Sequence, residues 1–326
     1  MNLPTYALVT PARDEAEHLT RIANSIAAQQ HRPLQWVIVD DNSTDGTRAI
    51  AEHLAARHDW ITVVTGPPSG HRRERGAPIV RAFNLGLQAL RRRPDITVKL
   101  DADLYLAPHF FAWVAGTFAR EPRAGVVGAA VLLMPENGRW IRDPISEHTV
   151  AGAAKAYRTD CLEEMGGLRP SMGWDGIDEY SARARGWMVF PLTELTLLHY
   201  GRRGAKQAWY RARWEEGLAN HYMGYLPQWL VVRAAFQMLA GRPRLLGGLV
   251  LAAGYTWAHA RSLPQVDDAL ARKVLQQEQR ERLRALLHGR RQVRNQAPTG
   301  GGPAFWIGNE GLPTADDAGA SSDGMG

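Results

Sequence analysis

Four short apolar runs alternate with stretches of helical spacing through the first hundred residues: YALVT (6–10), QWVIVD (35–40), ITVVTG (61–66) and ITVKL (96–100). HLTRIANSIAAQ (18–29) is amphipathic, and DGTRAIAEHLAAR (45–57) follows the helix-start residues Ser43, Thr44 and Asp45. A third helix is expected from Pro78 to Arg92. Strands alternating with helices at this interval predict an α/β fold, a mostly parallel sheet flanked by helices on both faces. Ligands of such sheets bind outside the carboxyl ends of the strands. Two acidic clusters fall there, DDNST after the second strand and Asp101-Ala102-Asp103 after the fourth.

Beyond residue 113 the pattern loosens. AGVVGAAVLLM (124–134) and MVFPLTELTLL (188–198) read as strands, and 205–260 turns helical and aromatic. PQWLVVRAAFQMLAG (227–241) and LLGGLVLAAGYTWA (245–258) are apolar but shorter than the roughly 20 residues of a membrane span. They suit packed helices, or helices lying in a membrane interface with Trp229, Tyr255, Trp257 and nearby arginines at the headgroup level. Residues 265–294 read as a charged helix, and the Gly-, Pro-, Ala-, Ser- and Asp-rich stretch from 295 as disordered. The expected organisation is an α/β domain over 1–204, a helical region over 205–294 and a tail over 295–326.

The proportions of hydrophobic (45%) and charged (22%) residues are those of a globular protein. The lone cysteine, Cys161, excludes an intrachain disulfide and a cysteine-based metal centre, which fits a reducing cytoplasm. The N-terminus runs straight into an apolar strand, without the pattern of a signal peptide. The net charge of +6, with arginines crowded in 71–93 and 272–294, suits nucleic acid, anionic lipid or a phosphorylated substrate. No recognition motif accompanies those arginines, so no nucleic-acid partner is expected.

VIVDDNSTDGT closes a strand with Asp40 and Asp41. One acid would serve a capped strand-to-helix turn; a second suits hydrogen bonding to a nucleobase or ribose. The turn G-x-G-x-x-G is missing there, which counts against a nicotinamide or flavin enzyme. Asp101 and Asp103 point to the same side if their segment stays extended, although such a pair also serves ordinary turns. As hard oxygen ligands they suit Mg²⁺ or Mn²⁺ held jointly with substrate phosphates. GWDGIDEYSARARGW (173–187) carries Asp175, Asp178 and Glu179. These acids favour a helix N-terminus, or one of them is a general base.

Taken in order, TPARDEAEHL, VIVDDNSTDGT, RAFNLGL, KLDADL, GWDGIDEYSARARGW and LLHYG resemble the inverting family 2 glycosyltransferases of the GT-A fold, over residues 5–204. The resemblance implies a Rossmann-like GT-A nucleotide-sugar-binding and catalytic domain with a C-terminal helical extension. It implies metal-dependent transfer from a UDP-, GDP- or dTDP-sugar to a hydroxyl acceptor, in bacterial-type polysaccharide or glycolipid assembly. Pro11, Ala12, Arg13 and Glu15 would line the nucleotide end of the first strand. Asp41 would contact the base, and Arg81 and Asn84 would lie near the nucleotide and diphosphate. Asp101 and Ala102 would face the ribose or sugar, Asp103 would coordinate Mg²⁺ or Mn²⁺, and His199 would reach the metal or the diphosphate. The general base would be Asp178, Asp175 or Glu179, with Asp178 the first choice. The family's Glu-Asp pair is spread here as Asp-Gly-Ile-Asp-Glu, which leaves that choice open.

WYRARW (209–214) is similar to the Gln-x-x-Arg-Trp motif of processive polysaccharide synthases, with Tyr210 at the Gln position. Arg211, Arg213 and Trp214 would then contact diphosphate or acceptor; processivity is not expected. The basic stretch GHRRERGAP (70–78) reads as a solvated loop, or as a flap placing Arg72, Arg73 and Arg75 over the donor phosphates. The aromatic and apolar region at 225–260 suggests a lipid-linked acceptor and peripheral attachment to the inner face of a membrane. Two other classes use similar residues. A nucleotidyltransferase would carry a Gly-rich signature near the first strand, which is missing, and a non-catalytic sugar-nucleotide-binding protein would not need the full set of acids.

Overall fold

The computed structural model describes residues 2–67, 77–133, 140–143, 149–201, 208–241 and 243–288. The arginines of the basic loop and the tail from 295 lie outside them. The first half runs β1 (Tyr6–Ala12), α1 (Ala16–Ala27), β2 (Gln35–Asp40), α2 (Thr47–Arg57), β3 (Ile61–Thr65), α3 (Ala77–Gln88) and β4 (Ile96–Leu100), in the expected order. Helix α1 forms because Leu19, Ile22, Ala23 and Ile26 recur on one face, and all four are buried. Burying each Leu or Ile contributes roughly 1.5–3 kcal/mol.

The pleat sorts the strands into two core layers. Tyr6 and Leu8 of β1 and Trp36 and Ile38 of β2 join Leu19 and Ile22 of α1. Val9, Val37 and Val39 point the other way, onto Val80 and Phe83 of α3. Every position of β2 is buried, as expected of a strand covered on both faces.

The second half runs β5 (Leu104–Leu106), α4 (Phe110–Arg120), β6 (Ala124–Leu133), β7 (Ile141–Arg142), β8 (Ala154–Arg158), α5 (Thr159–Glu164), α6 (Trp174–Ala184) and β9 (Met188–His199). Four helices follow: α7 (Trp209–Tyr222), α8 (Pro227–Ala240), α9 (Leu246–Ala260) and α10 (Ala269–Leu287). The sheet order is β3-β2-β1-β4-β8-β6-β9-β5, with β7 on β6. The α/β class is as expected, with an all-parallel half built from βα repeats and a mixed half beyond it. In the first, β1 pairs in parallel with β2 and β4, and β2 with β3. In the second, β6 and β9 still pair in parallel across a long crossover connection, but the other pairings are antiparallel. Strand β8 enters antiparallel between β4 and β6, and β5 lies antiparallel on β9. This places Lys155 of β8 directly opposite Lys99 of β4, two buried lysines under the ends of the parallel strands.

Candidate active site

The loops after β1 and β2 are latched together. Asp14 and Asn42 both adopt positive φ, a conformation that Asp and Asn tolerate better than most side chains. The Asp14 carboxylate accepts from the Thr44 backbone N–H at 2.7 Å, and the Thr47 hydroxyl accepts from the Glu15 N–H at 2.7 Å. Asp45 accepts from the Ala16 N–H and caps Thr47, so Asp14 on one side and Thr44, Asp45 and Thr47 on the other hold the start of α1 to the start of α2. Asp40 is buried and accepts from the Ser43 N–H, the turn role that one acid suffices for. Asp41 instead faces the cleft, with its carboxylate 3.8 Å from the Arg13 guanidinium.

An open cleft of about 290 Å³ sits at the carboxyl ends of β1, β2 and β4. It is lined by Pro11, Ala12, Arg13, Glu15, Asp41, Asp101, Ala102 and Asp103, together with Ile79 and Ala82 of α3. On its floor one ligand atom each from Asp101, Asp103 and His199 lie within 4.8 Å of one another. His199 ends β9, and the β5–β9 pairing sets it against Leu104, so strand register brings it to Asp103. Its Nε2 lies 3.3 Å from Asp103 Oδ2, and its Nδ1 is buried with no hydrogen-bond partner. Gly201 completes the cradle, since a Cβ there would fall 1.8 Å from Asp103 Oδ2.

Two carboxylates and an imidazole, with Asp103 and His199 already at near-ligand separation, fit a divalent cation that also takes phosphate oxygens. Burial pushes Asp101 up, against the Lys99 charge that lowers it. Burial would also raise Asp103, but the His199 hydrogen bond and charge outweigh it and hold that carboxyl below its ordinary value. Sequence reasoning missed His18 and Arg21 of α1. Their side chains meet at 3.2 Å, and Arg21 lies over the Tyr200 ring next to His199.

Residues 7–166 match the family model described as glycosyl transferase family 2. The chain carries a family 2 glycosyltransferase domain. The O-antigen biosynthesis protein RfbC of Myxococcus xanthus is 29% identical over 198 residues, covering 56% of this chain and 14% of that protein. The beta-monoglucosyldiacylglycerol synthase of Nostoc sp. is 22% identical over 245 residues, covering 69% of this chain and 51% of that protein. The chain thus spans about half or less of these relatives' own lengths. The mannosyltransferase PcManGT from Pyrobaculum calidifontis, solved with GDP-Man and Mn²⁺, shares the fold at a TM-score of 0.55 and 20% identity. That likeness covers 88% of this chain and 81% of the mannosyltransferase. The GT-A fold expected of the α/β domain is the fold found.

A second set of acids, in α6, is sealed off. Asp178 and Glu179 of α6 are buried around Lys155. Asp178 accepts from the Lys155 ammonium at 2.9 Å, the Tyr157 hydroxyl at 2.6 Å and the Glu179 N–H at 2.7 Å. Glu179 accepts from the Val150 N–H at 2.8 Å and pairs with Arg183. Burial alone would lower the Lys155 ammonium, but Asp178, Glu179 and Asp175 hold it protonated and push its pKa up. Asp175 differs from both. It is exposed in the first turn of α6, and its backbone carbonyl accepts from Lys155 at 2.5 Å. Its Cβ packs beside Gly152, whose carbonyl accepts from Lys99, the ion-pair partner of Asp101.

The remaining expected site residues fall outside the cleft lining. Arg81 is exposed on α3, and Asn84 donates to the Leu168 carbonyl at 3.0 Å. In α7, Arg213 pairs with Glu216 at 2.6 Å and Trp214 packs on Trp257, so both serve the C-terminal helices, while Arg211 is exposed. The lysines were legible only as a faint signal: a Lys inside an apolar strand, as in ITVKL, must find a buried partner.

Proposed function

We propose that this chain transfers a sugar from a nucleoside-diphosphate sugar to a hydroxyl acceptor with inversion at the anomeric carbon. The observation that carries the reading is the meeting, in one cleft, of Asp41 and Arg13 with the Asp101–Asp103–His199 cluster. The similar mannosyltransferase was solved with GDP-Man and Mn²⁺, and the relatives' names point to O-antigen and glucosyl-lipid synthesis. Those chemistries support a nucleotide-sugar donor and a polysaccharide or glycolipid acceptor. Asp41 suits the base or ribose, and Pro11, Ala12 and Glu15 wall that end of the cleft. Asp103 and His199, with Asp101 beside them, would hold Mg²⁺ or Mn²⁺, which would supply the positive charge that the donor diphosphate requires.

The general base is assigned to Asp175. Exposure leaves its carboxylate accessible to an acceptor, whereas Asp178 and Glu179 have their oxygens engaged and no solvent access. Asp175 takes the proton of the acceptor hydroxyl, and that oxygen bonds to the anomeric carbon. The bond from that carbon to the diphosphate oxygen breaks with the electron pair on the leaving group, and the proton passes from Asp175 to solvent. Lys155 and its carboxylates hold the α6 backbone in place for this step.

A donor panel tests the reading. Thermal shift and slow hydrolysis are followed with UDP-, GDP- and dTDP-sugars in Mn²⁺ or Mg²⁺. Stabilisation by one donor, abolished by EDTA and by Asp103→Ala, with release of a nucleoside diphosphate, is expected. Release of pyrophosphate, or donor binding without transfer to any hydroxyl acceptor, overturns it.

A further inference from the structure

The C-terminal helices present an apolar face that is exposed among the described residues. Helices α7 and α9 run parallel and in close contact. Arg213, Gly217 and His221 lie beside Gly247, Leu251 and Tyr255 in turn, and a Cβ on Gly217 would fall 2.2 Å from the Leu251 carbonyl. Helix α8 packs antiparallel on α9, with Gly248 against Ala234 and Met238, so the end of α8 and the start of α9 form a hairpin tip at the same end as the start of α7. That tip carries Phe236 (68% exposed) and Leu239 (74%), with Leu245, Leu246 and Leu249 also more than half exposed. Trp209 and Tyr210, the first residues of α7, are exposed at the same end. The turn itself is unusual. Leu245 has φ +61° and ψ −59°, and the Leu246 N–H bonds back to the Arg244 carbonyl at 2.7 Å. This is a γ-turn with positive φ, a strained conformation that a branched residue rarely adopts, and it holds the Leu245 side chain in solvent.

Charge says what covers the face. From Gly217 to Val266 the sequence contains no Asp or Glu and four arginines, Arg233, Arg242, Arg244 and Arg261. Arg233 is paired with Glu216 at 2.6 Å, while Arg244 and Arg211 are exposed at the tip end and Arg261 follows the far end of α9. An apolar tip of leucines and aromatics flanked by exposed arginines, with Glu216 taken up by Arg213 and Arg233, matches the interfacial zone of an anionic bilayer. A protein partner would more commonly be met by mixed charges at the rim. No helix among the described residues is long and apolar enough to cross a membrane, so the contact is interfacial.

We infer that the α8–α9 hairpin tip, with Trp209 and Tyr210, inserts into the headgroup region of an anionic lipid bilayer. This surface stands independently of the transferase reading. One consequence does rest on that reading. Ten residue spacings separate His199 from Trp209, about 33–36 Å at most when fully extended, so the candidate metal cluster lies within that reach of the bilayer. The acceptor best placed there is one carried on a lipid.

Flotation of the full chain with vesicles of phosphatidylcholine alone, or phosphatidylcholine with phosphatidylglycerol, tests the inference. Wild type is expected to float with the anionic vesicles and to be only partly released by high salt, which screens the arginines but not the apolar contact. Leu245→Ser and Leu249→Ser are each expected to lower the partition coefficient roughly tenfold, and Arg244→Glu several-fold on anionic vesicles only. Quenching of tryptophan emission by brominated lipid in wild type gives a readout independent of any variant's folding. The donor-induced thermal shift is measured on the same variants and should be unchanged, which separates failure of the surface from failure of the cleft. Absence of flotation and quenching overturns the inference, as does equal flotation of the leucine variants. A wild-type dimer that those variants dissociate would instead make the face a contact between copies.

Discussion

Two sets of carboxylates lie within a short distance of each other, and they have opposite surroundings. Asp101, Asp103 and the nearby Asp175 have oxygens that open to a cleft or to solvent. Asp178 and Glu179 are enclosed, and their oxygens are taken by an ammonium, a phenol and backbone N–H groups. On the proposed reading the sealed set is framework and the open set does the chemistry. The difference is one of hydrogen-bond capacity: a saturated buried carboxylate has nothing left with which to take a proton or hold a ligand. Lys99 and Lys155 join the two sets. They face each other across β4 and β8, both under the Trp174 ring; Lys155 couples the sealed acids to the backbone of Asp175, and Lys99 couples Asp101 to the Gly152 carbonyl.

The comparison can be broken most decisively by exchanging roles. Asp175→Asn is expected to lower turnover by about 10²–10⁴-fold while donor affinity, read by titration calorimetry, stays near wild type. Asp178→Asn should keep turnover per folded molecule within a few-fold. If the two results came out the other way round in folded protein, the sealed acid would be the base. Lys155→Met leaves Asp178 without its cation and Glu179 with Arg183 alone, and should cost about 3–5 kcal/mol in urea denaturation, an effect insensitive to donor or metal. A loss below about 1 kcal/mol would mean that the sealed set carries no net charge.

Asp103→Ala sharpens the open side. It should abolish the part of donor affinity that depends on Mn²⁺, with little change in melting temperature without metal. A smaller effect concerns Asp268, which caps α10 through the Ala271 N–H and joins α10 to α6 through Ser181 and Arg185. Asp268→Ala should cost about 1–2 kcal/mol. Burial would raise the Asp268 carboxyl, but the cap, the Ser181 hydroxyl and the arginines outweigh it and lower its pKa. The unfolded chain therefore binds this proton more readily than the folded one. The stabilisation is present above the unfolded value near 4 and is lost as pH falls through the folded pKa. Melting curves of wild type and Asp268→Asn should converge as pH drops from about 5 to 3; a constant gap would contradict the assignment.

Much of this was legible in the chain itself. The βα alternation from Tyr6 to Leu100 set the parallel half of the sheet, and strand ends were where the clustered acids of VIVDD and KLDAD fell. Strand β8 was not legible. AKAYR carries a lysine and an arginine, and its burial depends on Asp178 and on backbone carbonyls far along the chain. The choice among Asp175, Asp178 and Glu179 was equally hidden. Acids at the start of a helix all satisfy the same dipole, and one turn separates an exposed carboxylate from a buried one.

The sequence alone determined what depends on local period and local chemistry: strand and helix order, the helix-start residues Ser43, Thr44 and Asp45, and the acids at the strand ends. Tertiary structure decided which of those acids keep free oxygens. It brought His199 to Asp103 through the pairing of β5 with β9, and it sealed Asp178 and Glu179 through the antiparallel entry of β8. It also left the α8–α9 tip uncovered. Solvation and hydrogen-bond saturation are properties of what packs around a side chain, and those neighbours are set by register and topology rather than by adjacent residues in the chain.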